Sequence, residues 1–253
     1  MNSGKNTNNF VTRLAVGQDD LGAVQRLRYN VFVEELGAAG SGIDHNTRQE
    51  KDRFDKHAEH LMLLDLSRPK DDQLVGVYRL LDEKSSIETN GFYSQSEFDL
   101  GPLVLSGKRL LEAGRSCLHA DYRNGPALHH LWSALARYVL DNEYEVLFGV
   151  ASYPTSDIEK IAGSLTYLSQ HYLAAPELLV QSKDTQFLAP TCQTDRLAAM
   201  RQTPALIKAY LRLGGRIGQG AYIDREFGTI DVCMILDVTA LTDDTIQNFR
   251  LGA

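Results

Sequence analysis

The sequence lacks the features that would place it in a membrane or a secretory compartment. No uncharged apolar run approaches the ~18 residues that a membrane span needs, and the opening MNSGKNTNNF has no apolar core for a signal peptide. Its three cysteines, Cys117, Cys192 and Cys233, are far apart and form no CxxC pair, which argues against a disulfide framework and a zinc knuckle. We therefore expect a cytoplasmic protein in a reducing compartment.

Nucleotide-binding and metalloprotease signatures are also missing. There is no GxGxxG or GxxxxGK[ST], and GRIGQG at 215–220 follows a predicted helix, which is the wrong context for a phosphate loop. His57 and His60 lack the HExxH order, and His129 and His130 point to different faces of a helix. We therefore expect no dinucleotide, no P-loop nucleotide and no bound metal ion.

The composition is that of a globular protein with one sizeable core. Of the 253 residues, 43% are hydrophobic and 23% are charged, which excludes a disordered, collagen-like or coiled-coil chain. Lys and Arg number 26 against 33 Asp and Glu, so the formal net charge is 26 − 33 = −7. A protein that works mainly by neutralising phosphates would be basic, so nucleic acid is not an expected partner.

Hydrophobic periodicity predicts a single α/β domain over residues 10–253, preceded by a disordered segment, 1–9. The predicted elements are a strand at 14–16, a helix from 18 to about 37, a hairpin of strands 60–66 and 73–81, a strand at 108–118, a helix at 126–140, a strand at 146–152, a helix from 156 and a strand at 231–238. This order favours a mixed central sheet flanked by helices over a doubly wound nucleotide fold.

Several charged residues interrupt apolar segments. In LLEAGRSCLH, Glu112 and Arg115 would face opposite sides of a strand unless a bulge near Gly114 re-aims one of them. Burying both charges is costly unless they are paired or functional, so they form either a functional site or a structural ion pair. The same alternatives hold for Arg79 in LVGVYRLL and Arg28 on the first helix, each of which could instead extend to solvent at an edge.

A long loop, 37–57, carries the segment KDRFDKH. Its Asp52 and Asp55 are three residues apart, which on a turn-like backbone puts both carboxylates on one side, where they could grip an amine. The alternative is a solvated charge run balanced by the neighbouring lysines and arginine.

Two further features each allow two interpretations. Asn124 and Gly125 turn into a helix at Pro126, and the free N–H groups at its start could receive a phosphate or simply follow a tight turn. Cys117, near His119, could accept an acyl group as a nucleophile, or it is a small core residue of an apolar strand.

Seven segments in a fixed order resemble a known bacterial enzyme family: RYNVFVEELGA, DRFDKHAEHL, VYRLL, GFYSQSEFDL, LEAGRSC, YRNGPALHHLW and PALIKAYLRLGG. The chain resembles the L-ornithine N-alpha-acyltransferases of ornithine-lipid synthesis from about residue 20 to 238, and more distantly the acyl-homoserine-lactone synthases. Both groups have the GNAT-like acyltransferase fold. The lactone synthases carry a Trp after the first helix, where this chain has Glu35-Leu36-Gly37, which argues against a lactone synthase. The segment PALIKAYLRLGGRIGQGAYIDREFGTIDVCMIL resembles the ornithine-lipid enzymes and favours an amino acid acceptor over S-adenosylmethionine.

The resemblance implies a set of site residues: Arg28, Phe32, Asp52, Asp55, Arg79 and Phe98 for substrate binding, and Glu112 and Arg115 for catalysis. In the implied reaction, the alpha-amine of ornithine attacks the thioester of a 3-hydroxyacyl group on acyl carrier protein. Glu112 would take the proton, Asp52 and Asp55 would hold the cationic acceptor, and N–H groups at a strand bulge would stabilise the oxyanion.

The donor side of the implied site involves a second group of residues. The phosphopantetheine phosphate would lie at Arg123, Asn124 and Gly125, and no permanently bound cofactor is implied. Two alternatives remain: the same chemistry on another acceptor, such as glutamine, glycine or the lactone precursor, and a non-catalytic acyl-carrier or lipid-binding module. A non-catalytic module would be expected to lack the carboxylates of the site, and this chain has all three, Asp52, Asp55 and Glu112.

The charge near the C-terminal third reverses the overall balance. Between residues 195 and 216 there are five basic residues and a single acid, Asp195. Lys208 and Arg212, one turn apart on a predicted helix, together with Arg216, would suit docking to acidic acyl carrier protein or peripheral contact with the inner membrane. The alternative is a solvated helix face.

Overall fold

The computed structural model describes residues 9–123, 125–184 and 195–251. Residues 1–8 of the predicted disordered segment, Asn124 and Cys192 lie outside the described residues.

Twelve strands occur in these described ranges, and eight of them form one sheet. They are β1 (Phe10–Leu14), β2 (Ile43–Asp44), β3 (Gln49–Glu50), β4 (Glu59–Asp65), β5 (Leu74–Asp82), β6 (Phe98–Asp99), β7 (Leu110–Leu118), β8 (Val146–Tyr153), β9 (Gln181–Ser182), β10 (Arg216–Ile217), β11 (Tyr222–Asp224) and β12 (Thr229–Asp237). The sheet order is β1-β4-β5-β7-β8-β12-β10, and β11 pairs with β12. β7 and β8 are parallel, and the other neighbours in this sheet are antiparallel.

Helices cover both faces of this sheet. They are α1 (Gly17–Arg28), α2 (Glu83–Glu88), α3 (Gly101–Leu105), α4 (Ala127–Asp141), α5 (Ala162–His171), α6 (Arg196–Gln202), α7 (Ala205–Arg212) and α8 (Asp243–Leu251). Alternate residues of β12 point to opposite faces: Val232 and Met234 join the core beneath α4, whereas Cys233 and Ile235 join a second core on the other face. Within the described part of the chain, no helix combines the length and apolar character that a membrane span requires.

The two parallel strands separate after a short paired stretch. β7 residues 110–112 pair with β8 residues 146–148, and beyond them the described residues form no further pairs between these strands. Gly149 lies at the vertex of this fork with φ 156, where a Cβ would approach the carbonyl oxygen of Ala113 to 2.2 Å. Glycine therefore permits the close approach of the two backbones where they begin to diverge.

The predicted bulge near Gly114 is confirmed. Pairing between β5 and β7 passes from Val77 opposite Cys117 to Arg79 opposite Gly114, so that two residues of β7 stand opposite one of β5. Arg115 is one of these two and has φ 50, in the left-handed region. The bulge lies on the part of β7 that has separated from β8.

The predicted mixed sheet flanked by helices is confirmed, and the differences are local. The first helix changes after Arg28 into a π-helical segment, Tyr29–Glu35, and Gly37 follows it at φ 76. The helix predicted from 156 begins as a 3-10 turn, Ile158–Ile161, because the side chain of Asp157 accepts a hydrogen bond from the Glu159 N–H and caps that turn first.

Candidate active site

Six charged side chains form a buried ion-pair network on one face of the sheet. The network consists of Arg28, Arg79 and Arg115 with Glu50, Asp52 and Asp55. Three positive and three negative charges meet there, so the network is formally neutral. Neutrality and mutual hydrogen bonding are what make burial of so many charges tolerable.

Arg28 is the most deeply buried member, with no exposed surface. Its Nε donates to Oε2 of Glu50 at 2.5 Å and its Nη1 donates to Oδ1 of Asp55 at 2.6 Å. Burial alone would raise the pKa of Asp55, but the charges of Arg28 and Arg79 and the hydrogen bond from Arg28 outweigh it and hold that pKa below its ordinary value. Asp55 is therefore ionised at neutral pH.

Asp52 connects the loop to two strands. Nη1 of Arg79 donates to Oδ2 of Asp52 at 2.6 Å, and Nη2 of Arg115 donates to the same oxygen at 3.2 Å. Burial opposes ionisation of Asp52, yet the two arginines lower its pKa below the ordinary value. With 20% of its side chain exposed, Asp52 is more open to solvent than the buried Asp55.

The structure thus brings Asp52 and Asp55 together, as their spacing predicts, but their oxygens face arginines. Asp55 bonds to Arg28, Arg79 and Gln25 and is 3% exposed, so it has no surface left to hold an amine. The solvated charge run is also not what is observed, because both carboxylates are largely buried. Asp52 is the one of the two that reaches a cavity.

Glu50 is a member of the network that the sequence does not indicate. It lies on β3, a two-residue strand inside the long loop, and is 3% exposed. Its Oε1 accepts from Nε of Arg115 at 3.3 Å while Oε2 accepts from Arg28. Glu50 therefore links the first helix to the β7 bulge.

A cavity of about 550 Å³ opens beside the network. Its charged wall contains Glu50, Asp52 and Arg115, and its aromatic wall contains Phe54, Tyr93 and Phe227. The remaining lining residues are Ala38, Ala39, Gly40, Ser41, Gly42, Ile43, Lys51, Arg53 and Glu226. The guanidinium of Arg115 lies 4.5 Å from the ring centre of Tyr93 and 4.7 Å from that of Phe227, so the aromatic rings cover it.

Glu112 lies on β7 at the last position that pairs with β8. Its carboxylate is 3% exposed and accepts hydrogen bonds from the Tyr93 N–H at 2.8 Å, from the Ser94 N–H at 2.7 Å and from the Ser94 hydroxyl. Burial raises its pKa despite these donors. Glu112 thus lies beneath the turn that carries Tyr93 and does not line the cavity itself.

The predicted aromatic contacts fall in two different environments. Phe32, on the π-helical segment, packs edge-on against Phe227 with ring centres 5.8 Å apart, next to the cavity. Phe98, on β6, is fully buried in the apolar core and is not among the cavity-lining residues. The structure therefore places Phe98 in packing, where a direct contact with substrate had been expected.

The predicted phosphate position lies at the start of α4. Nη2 of Arg123 donates to Oε2 of Glu35 at 2.5 Å, and its Nε donates to the Leu118 carbonyl at 3.2 Å. Gly125 is exposed, and α4 begins after Pro126 with no side-chain cap in the part of the chain described. Asn124, the third residue of the predicted phosphate site, lies outside the described residues.

Cys117 belongs to the core. It is 5% exposed and packs in the cluster beneath α1, and burial raises the pKa of its thiol to about 12. A thiol that keeps its proton is a poor nucleophile, so the structure favours the core interpretation.

The basic segment near the C-terminus is split into two helices, α6 and α7, because Pro204 separates them. Lys208 and Arg212 lie one turn apart on α7, as predicted. Arg212 and Arg216 are exposed, while Lys208 is partly buried and donates from Nζ to the Met200 carbonyl at 3.3 Å.

A second charged group was not predicted. Glu97, Asp224 and Asp231 bring one carboxylate oxygen each within 4.8 Å of the others, and all three are buried. We call these residues the acidic cluster. The three residues come from separate segments of the chain, so no sequence motif joins them. Of the three, the sequence indicates only Asp231, an acidic residue at the start of an apolar strand.

Comparison with known proteins places this geometry in a family. A family model described as an acetyltransferase (GNAT) domain matches residues 27–133. An L-ornithine N(alpha)-acyltransferase of Rhodobacter capsulatus is 46% identical over 238 residues, with 92% of each chain covered. A protein of the same name from Agrobacterium fabrum is 37% identical over 246 residues, covering 94% of this chain and 84% of the relative.

Solved structures share the fold at low sequence identity. The CoA-dependent acyl-homoserine lactone synthase BjaI, with MTA, matches with a TM-score of 0.55 at 14% identity, covering 96% of this chain and 90% of that one. FeeM, an N-acyl amino acid synthase from uncultured soil microbes, matches with a TM-score of 0.52 at 12% identity, covering 92% and 93%. The predicted GNAT-like fold is confirmed, and the chain belongs to the L-ornithine N(alpha)-acyltransferase family.

Proposed function

We propose that this protein transfers a 3-hydroxyacyl group from the phosphopantetheine of acyl carrier protein to the alpha-amine of L-ornithine. A C–N bond forms, the thioester C–S bond breaks, and the carrier leaves as a free thiol, giving an N-acyl ornithine, the lyso form of ornithine lipid. The observation that carries the proposal is the open β7–β8 fork beside the charged cavity, in a chain 46% identical to an L-ornithine N(alpha)-acyltransferase.

The fork suits an extended donor arm made of amides. Beyond residues 112 and 148, β7 and β8 no longer bond to each other, so backbone N–H and C=O groups along their facing edges are available. Gly114, Ser116 and Val150 are partly exposed there, and Ser152 is exposed. A phosphopantetheine arm lying in this opening would bring its thioester to the fork, with its phosphate toward Arg123, Asn124, Gly125 and the N–H groups that begin α4.

The acceptor would occupy the cavity. Asp52 presents its partly exposed carboxylate there, held in place by Arg79 and Arg115, so it provides the anionic surface that attracts an amino group. Asp55 and Arg28 would act one contact further away, by fixing the geometry of the groups that line the cavity, and Glu50 would hold Arg115 in the cavity wall.

Two groups would assist the reaction itself. Glu112 lies at the fork vertex, and in the described residues its Oε2 accepts only one hydrogen bond, so it can accept another from a water that relays the proton of the amine. Its raised pKa suits a group that takes a proton from an ammonium. Backbone N–H groups at the Arg115 bulge would stabilise the oxyanion.

The basic surface formed by α7 and the start of β10 supplies the carrier contact in this proposal. Lys208, Arg212 and Arg216 would meet the acidic surface of acyl carrier protein, which compensates for the negative total charge of this chain. We place the reaction in the cytoplasm with peripheral contact at the inner membrane, since the product is a membrane-lipid precursor.

The test is mass spectrometry of lipid extracts from cells that express the chain, joined to an assay of the purified protein. We expect an N-(3-hydroxyacyl) ornithine in the extract, and in vitro turnover that is faster with acyl carrier protein than with acyl-CoA. Absence of that mass together with another N-acyl amino acid, such as an acyl glutamine or acyl glycine, would overturn the ornithine assignment while leaving the acyltransferase intact.

A further inference from the structure

The acidic cluster lies on the opposite side of the fork from the ion-pair network. Glu97 follows the 3-10 turn Tyr93–Ser96, Asp224 ends β11, and Asp231 lies on β12 in register with Ser152 of β8. Ser152 is exposed and belongs to the part of β8 that has separated from β7. The network is carried by α1, β5, β7 and the loop, so it lies on the β7 side of the fork, whereas Asp231 lies on the β8 side.

The acidic cluster is also joined to the cavity wall. Oδ1 of Asp224 accepts hydrogen bonds from the N–H groups of Glu226 at 2.8 Å and Phe227 at 3.0 Å, and both residues line the cavity. Glu97 directly follows the turn Tyr93–Ser96, and Tyr93 also lines the cavity. The cluster thus lies just behind the aromatic wall.

Unlike the network, the acidic cluster has no cation of its own. Among the described residues, no Lys or Arg forms a salt bridge with any of its three members. Oε2 of Glu97 and Oδ1 of Asp231 are buried without a hydrogen-bond partner in the same described ranges, and these two residues are each 3% exposed. Buried carboxylate oxygens are rarely left unpartnered, which points to a ligand that supplies hydrogen-bond donors and positive charge.

We propose that the acidic cluster of Glu97, Asp224 and Asp231 binds the side-chain ammonium of the acceptor amino acid. This inference rests on the proposed function and deepens it, because it assigns the group that distinguishes ornithine from amino acids with apolar side chains. The alpha-amine has to lose a proton to react, whereas the side-chain ammonium stays charged and needs anionic partners. An alkylammonium carries three N–H donors, which three converging carboxylates can accept.

The state of the free cluster is consistent with this role. Burial and the charges of Asp231 and Asp224 raise the pKa of Glu97 to about 9, and burial raises that of Asp231 to about 6. Hydrogen bonds from Ser152 and Thr229 and the charge of Arg115 lower the pKa of Asp231 without outweighing its burial. The other titratable groups that face the cluster are Glu112, Tyr93, Tyr222 and Cys233. At neutral pH Glu97 holds a proton, which an arriving ammonium would displace.

Norvaline gives a matched acceptor for the test, because it has the carbon chain of ornithine without the terminal amine. With the purified protein and acyl carrier protein thioester, we expect kcat/KM for ornithine to exceed that for norvaline by about 100-fold or more. Glu97→Gln and Asp231→Asn should reduce this ratio about tenfold or more. Glu177→Gln removes the same charge at an exposed position and should leave the ratio unchanged.

The outcomes separate the two proposals. If the wild-type protein acylates neither amino acid, the proposed function fails. If it acylates ornithine and norvaline equally, or if both cluster variants fold and lower the two rates in parallel, the proposed function stands and the ammonium site is overturned. A ratio that collapses on treatment with a metal chelator would also overturn it, since the cluster would then hold a metal ion.

A binding measurement on the wild-type protein keeps the inference testable if the variants do not fold. Calorimetry of ornithine binding near pH 7.5, in two buffers of different ionisation enthalpy, should show release of a proton because Glu97 becomes ionised. Norvaline should release none. Equal proton release for the two ligands would contradict the assignment.

Discussion

Oδ2 of Asp52 lies 3.2 Å from Nη2 of Arg115, so a loop carboxylate and a guanidinium from the β7 bulge form one wall of the cavity together. Arg115 reaches this position with φ 50, a conformation that residues with a side chain seldom adopt. Such strain persists only where the surroundings hold it, and here two carboxylates and two aromatic rings do so.

We expect Arg115→Lys to lower kcat/KM by about 100-fold, because a lysine keeps the charge but cannot bond to Glu50 and Asp52 through a planar fork while covering Tyr93. Steady-state kinetics with acyl carrier protein thioester and ornithine measures the change. Arg137→Lys, at an exposed position on α4, is the matched control. Activity of Arg115→Lys within twofold of wild type would remove Arg115 from the site.

Glu112→Gln should keep the fold and lose most turnover. Gln offers one acceptor oxygen where Glu offers two, so the Tyr93 or Ser94 N–H loses its partner and stability falls by about 1–3 kcal/mol. Ser94→Ala is the control, because it removes only the hydroxyl donor and keeps the carboxylate. If Glu112 takes the proton, the Gln variant loses far more of kcat than the Ala variant. Equal losses of kcat, following equal losses of stability, would reduce Glu112 to a positioning residue.

Asp55→Asn should destabilise the fold. The substitution leaves Arg28 and Arg79 buried with one fewer negative charge, and breaking a buried pair costs about 3–5 kcal/mol. Urea unfolding followed by circular dichroism gives the change in the free energy of unfolding. Asp141→Asn, at the exposed end of α4, should cost less than about 0.5 kcal/mol. Similar values for the two variants would mean that the network does not stabilise the protein.

The pH dependence of stability should reveal Glu97. Its pKa is about 9 in the folded protein against an ordinary value near 4.3, so the folded state holds a proton that the unfolded state loses between these values. Stability therefore falls as pH rises through this window. Glu97→Gln stays neutral throughout, so it should exceed the wild type by about 1 kcal/mol or more at pH 8 and by little at pH 4. Equal urea midpoints at both pH values would contradict the raised pKa.

Replacing Lys208 and Arg212 together by Glu should raise the KM for acyl carrier protein about tenfold at low salt. The difference should shrink as salt is added, because exposed charges are screened. Acyl-CoA, which lacks the acidic protein surface, is the control donor and should show no matching change. An unaltered KM for the carrier would place docking elsewhere on the surface.

Long periodic segments made the fold predictable. The stripe of apolar residues from Leu128 to Val139 corresponds to α4, whose buried face forms much of one core, and the two runs around SRPKDD correspond to the β4–β5 hairpin. Arg28, Arg79 and Arg115 were identified because each is a charged residue within an apolar segment. All three belong to the network, since a buried charge requires partners.

The site residues that the sequence did not indicate are brought together by contacts between distant segments. Glu50 lies in an irregular loop with no periodicity, and its burial follows only from the approach of Arg28 and Arg115. Glu97, Asp224 and Asp231 come from a turn, a short strand and a long strand; pairing of β11 with β12 brings the two aspartates together, and Glu97 joins them only in the folded structure. Phe98 is buried in the same apolar core as the cavity-lining Phe54, and its contact with substrate stays a prediction.

The two sides of the cavity are held by contacts of different kinds. Buried ion pairs hold the segment 50–55 to Arg28, Arg79 and Arg115. Moving this segment outward would separate these arginines from their carboxylates. On the far side, the Ala39 N–H bonds to the Glu226 carbonyl at 2.7 Å, a single backbone link between two exposed residues. Parting Ala39 from Glu226 would break one backbone hydrogen bond, whereas moving the segment 50–55 would separate several buried ion pairs, so the two sides of the cavity differ in how firmly they are held.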